Sequence, residues 1–157
     1  MRSWFKIATI AAGLVLFGSQ SAVASDTVGW KTVSSSTWAC GDWVAHGQTF
    51  QPGLSPLNFK ACAVTNASGG AQAVLVVQNA NELHGWDLEK GRVVFESQLG
   101  GDVWCAPSLL NSGFTRGCYA PTVQVGKCQY IDIPRVELTI NGHTGVAYGR
   151  NYIKTPC

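Results

Sequence analysis

The stretch "AQAVLVVQ", Ala71 to Gln78, decides the fold. Val74 to Val77 form an unbroken apolar run of β-branched and aliphatic residues, too short for a helix and entered through the turn signal "NASGG" at 66–70. Such a run predicts a central strand buried on both faces. Outward from it, the chain from Thr27 onward is a series of short apolar runs punctuated by Gly, Asn, Ser and Pro, with almost no helical period, and the whole sequence holds eighteen glycines. That pattern predicts an all-β fold, a small disulfide-stabilised β-sandwich or barrel with little or no helix. A second strand is expected at "RVVFES", 92–97, entered from "HGWDL" through a turn at Lys90-Gly91. The one helical possibility, "NANELHGWDLEK" at 79–90, is interrupted by Gly85.

The segment "PRVELTINGHTGVAYGRNYI", 134–153, sets a register problem. Val136, Leu138 and Ile140 alternate with polar residues, as in a half-buried strand, and Asn141-Gly142 invites a two-residue type I′ hairpin. That turn would pair Leu138 with Gly145 and leave Val146 on the face of Glu137. A three-residue loop, Asn141 to His143, would instead pair Leu138 with Val146 and Val136 with Tyr148. A one-residue slip exchanges the faces, so the expected burial of Val136, Leu138, Val146 and Tyr148 together favours the longer loop.

The N-terminal run places Arg2 and Lys6 before a predominantly apolar run of eleven residues, Ile7 to Phe17, followed by Ala22-Val23-Ala24. This has the layout of a secretory signal peptide over 1–24 with cleavage after Ala24. Eleven residues at ~1.5 Å each reach about half of a ~30 Å hydrocarbon core, so no transmembrane anchor is expected here or later. The remainder of the chain, 25–157, is expected to be a single disulfide-bonded β domain, secreted to the exterior or to a periplasm.

Removing the leader takes two of the eleven Lys/Arg and none of the nine Asp/Glu, so nine face nine and the net charge falls to zero. Singly scattered charges at zero net charge argue against nucleic acid as a partner.

All six cysteines lie in 25–157, and an even count in a short exported chain reads as a disulfide framework. Zinc ligation favours close pairs, whereas the successive gaps here are 22, 43, 13, 10 and 29, so no metal is assigned. Two stretches echo one another. "FKACAVT", 59–65, and "TRGCYAPT", 115–122, each carry a basic residue two before the cysteine, and each follows an earlier Trp-Cys run, "WAC" at 38–40 and "WC" at 104–105. If each Trp-Cys closes on its own echo, the pairs are Cys40–Cys62 and Cys105–Cys118, leaving Cys128 for Cys157. This is one of fifteen connectivities, and the echo favours it over the others without deducing it. Trp38 and Trp104, next to half-cystines, are expected in the core. Trp43 and Trp86, each beside an Asp and near a Gly and a His, read as loop-borne aromatics and are the candidate ligand-binding residues.

Catalytic signatures are lacking. His46, His84 and His143 sit apart, His84 having Glu82 and Asp87 nearby, and are expected to be exposed loop residues. There is no G-x-S-x-G elbow, phosphate loop, dinucleotide fingerprint or H-E-x-x-H run. No catalytic residue and no cofactor is assigned. Asn66-Ala67-Ser68 matches the N-glycosylation acceptor pattern, and it is also simply the polar turn before the central strand. The functional expectation is a secreted, non-catalytic interaction protein presenting a loop surface to a protein partner, as an inhibitor, adhesin-like or envelope-associated factor. A carbohydrate or cell-wall binding module and a small secreted hydrolase are the alternatives.

Overall fold

The computed structural model describes residues 27–33, 38–94, 103–132, 134–150 and 153–157. The expected leader, the "SSST" run at 34–37 and residues 95–97 of the second expected strand lie outside the described residues. In chain order the strands are β1 (Thr27–Val28), β2 (Trp30–Thr32), β3 (Trp38–Cys40), β4 (Val44–Ala45), β5 (Leu57–Thr65), β6 (Gly70–Asn79), β7 (Trp86–Leu88) and β8 (Lys90–Val94). They continue with β9 (Val103–Cys105), β10 (Ser108–Leu110), β11 (Thr115–Tyr119), β12 (Val123–Gln124), β13 (Tyr130–Ile131), β14 (Arg135–Ile140), β15 (His143–Tyr148) and β16 (Ile153–Lys154). Among the described residues there is no α-helix, and one 3₁₀ turn, Gly47–Thr49, lies between β4 and β5.

Two sheets carry the fold. One has five strands in the order β1-β9-β8-β14-β15, and the other has seven, ordered β2-β11-β6-β5-β3 with β12 also on β6 and β4 also on β5. Ribbons β7-β10 and β13-β16 complete the set. The two sheets stack face to face as a sandwich and do not close into a barrel.

β6 is the central strand, flanked by β5 on one side and β11 with β12 on the other. Successive side chains of a strand point to opposite faces. Its inward residues Ala73, Leu75 and Val77 therefore join Val93, Val136 and Leu138 of the five-stranded sheet in one buried cluster. The outward residues Val74 and Val76 are just as buried, because Trp38, Tyr119, Val33 and Val64 roof them together with Cys62. Trp38 meets Tyr119 edge to face at 5.9 Å. This second apolar layer is why the run Val74–Val77 has no polar alternation. Each such fully buried side chain contributes about 1.5–3 kcal/mol.

The disulfides are Cys40–Cys62, Cys105–Cys118 and Cys128–Cys157. The first joins directly opposed residues of β3 and β5 on the outer face. The second joins β9 of the five-stranded sheet to β11 of the seven-stranded one and so clamps the sandwich. The third ties the segment before β13 to the C-terminal residue. In the chain-entropy account, loops of these lengths contribute ~3 kcal/mol each.

The Trp-Cys echo divides by spacing. In "WAC" the Trp and Cys are two apart and share a face, so Trp38 covers the Cys40–Cys62 bridge. In "WC" they are adjacent and point oppositely. Cys105 is buried between the sheets while Trp104 faces outward under Lys90, whose Nζ lies 3.9 Å from the ring centre. The expectation of a core Trp104 is thereby corrected.

The hairpin β14-β15 takes the two-residue turn, with Asn141 at φ 50° and Gly142 at φ 71°. Leu138 pairs with Gly145 and Val136 with Ala147, whereas Val146 and Tyr148 are exposed, so the expected three-residue loop is wrong. The burial expected from Val146 and Tyr148 is supplied from across the sandwich. Phe59 and His46 press on Gly145, where a Cβ would lie 2.8 Å from Phe59 Cζ. The inward positions of β15 are small because the opposite sheet fills the space.

Lys90-Gly91 is not a turn either. Both residues lie in β8, and β7 and β8 belong to different sheets. A side chain at Gly91 would meet Cys105 Sγ at 2.9 Å, so glycine is there to let the inter-sheet bridge pass.

Candidate functional site

One end of the sandwich is built from three connections: residues 46–57, leading into β5; residues 79–85, leaving β6; and residues 109–114, leading into β11. Asn79, fully buried, ties two of them together. Its Nδ2 donates to the carbonyls of His84, at 2.7 Å, and Leu110, at 3.2 Å, while its Oδ1 accepts from Asn81 N. Its backbone N–H donates to Phe114 O and its carbonyl accepts from Gly113 N. Ser112 Oγ donates to Asn81 O at 2.6 Å. The third connection is pinned by Thr49, whose hydroxyl donates to His46 O and accepts from Leu57 N. Buried polar residues held this way fix a loop, because breaking any one bond strands a donor or acceptor away from water.

What these pinned loops display is apolar. Leu83 is 71% exposed, Phe50 63%, Leu109 59% and Phe114 44%. Arg116 lies over the Phe114 ring at 4.7 Å. Between the loops runs a cleft of about 320 Å³. Gly53, Leu54 and Ser55 form one wall, and Ala80, Asn81, Glu82 and Leu83 the other.

The two candidate tryptophans fall on different elements. Trp43 stands just before β4 at the edge of the seven-stranded sheet, 42% exposed, with Lys60 Nζ 4.1 Å from its ring centre. Partial burial there lowers the pKa of the Lys60 ammonium below the ordinary lysine value. Trp86 lies in β7, half-buried against the main core, and its Nε1 is buried without an acceptor.

The three histidines also separate. His46 is buried, correcting its expected exposure. Its Nε2 donates to Leu138 O of the opposite sheet at 3.0 Å, and its Nδ1 accepts from Gln48 N. It thus serves as a cross-sheet tie, with both ring nitrogens engaged by backbone. His84 and His143 are exposed.

Among the described residues no three His, Cys, Asp or Glu side chains gather in a way that could hold a metal ion. No described helix is long and apolar enough to cross a membrane. No family model matches the chain, and no curated protein or solved structure matches it either.

The cleft and its apolar rim were not visible in the sequence. They arise because the β5-β6-β11 pairing brings residues 50–55, 80–83 and 109–114 to one end. Asn79 and Asn81 lie in the one stretch with helical promise, 79–90, and their side chains hydrogen-bond a loop there instead.

Proposed function

We propose that this chain is an exported, non-catalytic binding protein that presents its loop end to a protein partner. The observation that carries this reading is the set of exposed large apolar side chains, Phe50, Leu83, Leu109 and Phe114, on connections held by buried hydrogen bonds. Slack loops would lose entropy on binding. Loops already ordered avoid most of that cost, and rigid apolar and aromatic side chains are the usual anchors of protein interfaces. Export is supported by the 1–24 leader pattern and by three disulfides, which persist in oxidising compartments. Trp43, exposed at the edge of the seven-stranded sheet, is a further candidate anchor in this reading, and half-buried Trp86, whose backbone pairs with Leu110, stands behind the loop end.

A photo-crosslinking amino acid placed singly at Phe50, Leu83 or Phe114, in the host that exports the protein, tests this reading. A discrete protein adduct at these positions, and none from Tyr148 on the outer face of the five-stranded sheet, is expected. Equal labelling at Tyr148, or no adduct at any loop-end position, would contradict it.

A further inference from the structure

At the end of the sandwich opposite the loops, we infer that the Cys128–Cys157 bridge is a thiol–disulfide exchange site. A small aliphatic thiol or dithiol opens it while the fold and the other two bridges stay intact. The three bridges differ in what covers them. Cys105 is 2% exposed and Cys118 0%, so the bridge between the sheets is closed to a thiolate until the sandwich parts. Cys62 is also 0% exposed, and its partner Cys40 is half-buried in the layer that Trp38 roofs. Cys128 and Cys157 are both exposed residues. Exchange requires a thiolate to reach one of the bridged sulfurs, so access decides which bridge reacts.

Local opening points the same way. Beside the bridge, Cys128 N–H donates to Pro156 O at 3.2 Å, and Pro156 is exposed like both cysteines. Releasing that contact uncovers no core residue. Opening the other bridges means parting β3 from β5, or one sheet from the other, and those strands carry the two buried apolar clusters. Openings at an exposed chain segment cost far less than openings of the core. What remains after the bridge opens is still fastened. Thr155 is buried, its N–H donates to Gln129 O at 2.9 Å, and its hydroxyl donates to Gly126 O at 2.7 Å and accepts from Gln129 N at 2.9 Å. Ile131 pairs with Ile153, and both lie in the main cluster. These ties flank Cys128 on both sides, so the two sulfurs stay near each other and the bridge can reclose. Gly126 N–H in turn donates to Gly69 O, which sets the latch at the turn of the β5-β6 hairpin, at the other end from Phe50, Leu83 and Phe114.

In the exchange, the attacking thiolate forms a bond to Sγ of one cysteine as the S–S bond breaks. The other cysteine leaves as a thiolate, and the proton given up by the incoming thiol ends on the departing sulfur. A monothiol stops there, as a covalent mixed disulfide on the protein. A dithiol continues. Its second thiolate displaces the protein sulfur, the dithiol is oxidised to a disulfide, and two electrons and two protons end on Cys128 and Cys157.

The experiment treats the native, fully bridged protein with dithiothreitol in the absence of denaturant, quenches samples with iodoacetamide and maps the alkylated cysteines by mass spectrometry. Cys128 and Cys157 are expected to be alkylated together, about a hundredfold or more faster than any other cysteine, while the amide signals of β5, β6 and β14 keep their native positions. Glutathione in place of the dithiol should leave its adduct on Cys128 or Cys157 and on no other cysteine. In protein carrying both Cys128→Ser and Cys157→Ser the fast phase should vanish and the same strand signals persist. Alkylation of Cys40, Cys62, Cys105 or Cys118 at a comparable rate, or no reduction short of global unfolding, would overturn the assignment. Loss of the strand signals with the bridge, or a fast phase surviving in the double variant, would overturn it equally. The crosslinks from Phe50 and Phe114 do not depend on this bridge, so the two readings fail separately.

Discussion

Trp43 and Trp86 have the same neighbour in sequence, an aspartate, and the fold treats them differently. Trp43 ends on the surface with a lysine over its ring, whereas Trp86 packs on the core from the ribbon strand β7. Trp43→Ala should therefore cost under about 1 kcal/mol, the scale of an exposed cation–π contact, and Trp86→Ala about 2 kcal/mol or more. Chemical denaturation of the two variants checks this, and equal losses would contradict the assignment. The sequence showed that both residues stand outside the cysteine-adjacent positions, but it could not show depth. Trp104 makes the same point. Its side chain points away from Cys105 because strand neighbours alternate, which becomes plain once residues 103–105 are known to be extended.

At the scale of elements, the hairpin β5-β6 is the best specified part of the chain. Its turn is organised by Asn66, whose Oδ1 accepts from Ser68 N, Ser68 Oγ and Gly70 N at 2.8–3.1 Å. Asn66→Ala should destabilise the protein by about 1–2 kcal/mol through two lost backbone bonds, while Ser68→Ala should cost about 0.5 kcal/mol. Thermal melts of unglycosylated protein would show this order, and a neutral Asn66→Ala would contradict the turn's role.

This hairpin was legible because its determinants are local: four apolar residues in a row and a polar turn. The β14-β15 register was not. The decision lay with Phe59 and His46, which reach Gly145 from the other sheet, and no window along 134–153 contains them. Cysteine pairing fell between these cases, since the repeated Trp-Cys pattern carried long-range information that hydrophobic period does not.

For the whole molecule, the sequence disclosed the class of fold and left the site dark. An all-β sandwich follows from short runs, glycines and a two-faced central strand. The candidate site depends on which connections share an end, and that is set by the strand order of a seven-stranded sheet. The central claim is that this end is a preformed surface, with residues 49–57, 79–85 and 109–114 held by Thr49, Asn79 and Ser112. Backbone ¹⁵N relaxation tests it directly and needs no partner. The account predicts order parameters of about 0.85 through these three connections, matching the strands they join. Values below about 0.6 across residues 79–85 and 109–114 would contradict it, leaving the exposed Leu83 and Phe114 as side chains of slack loops.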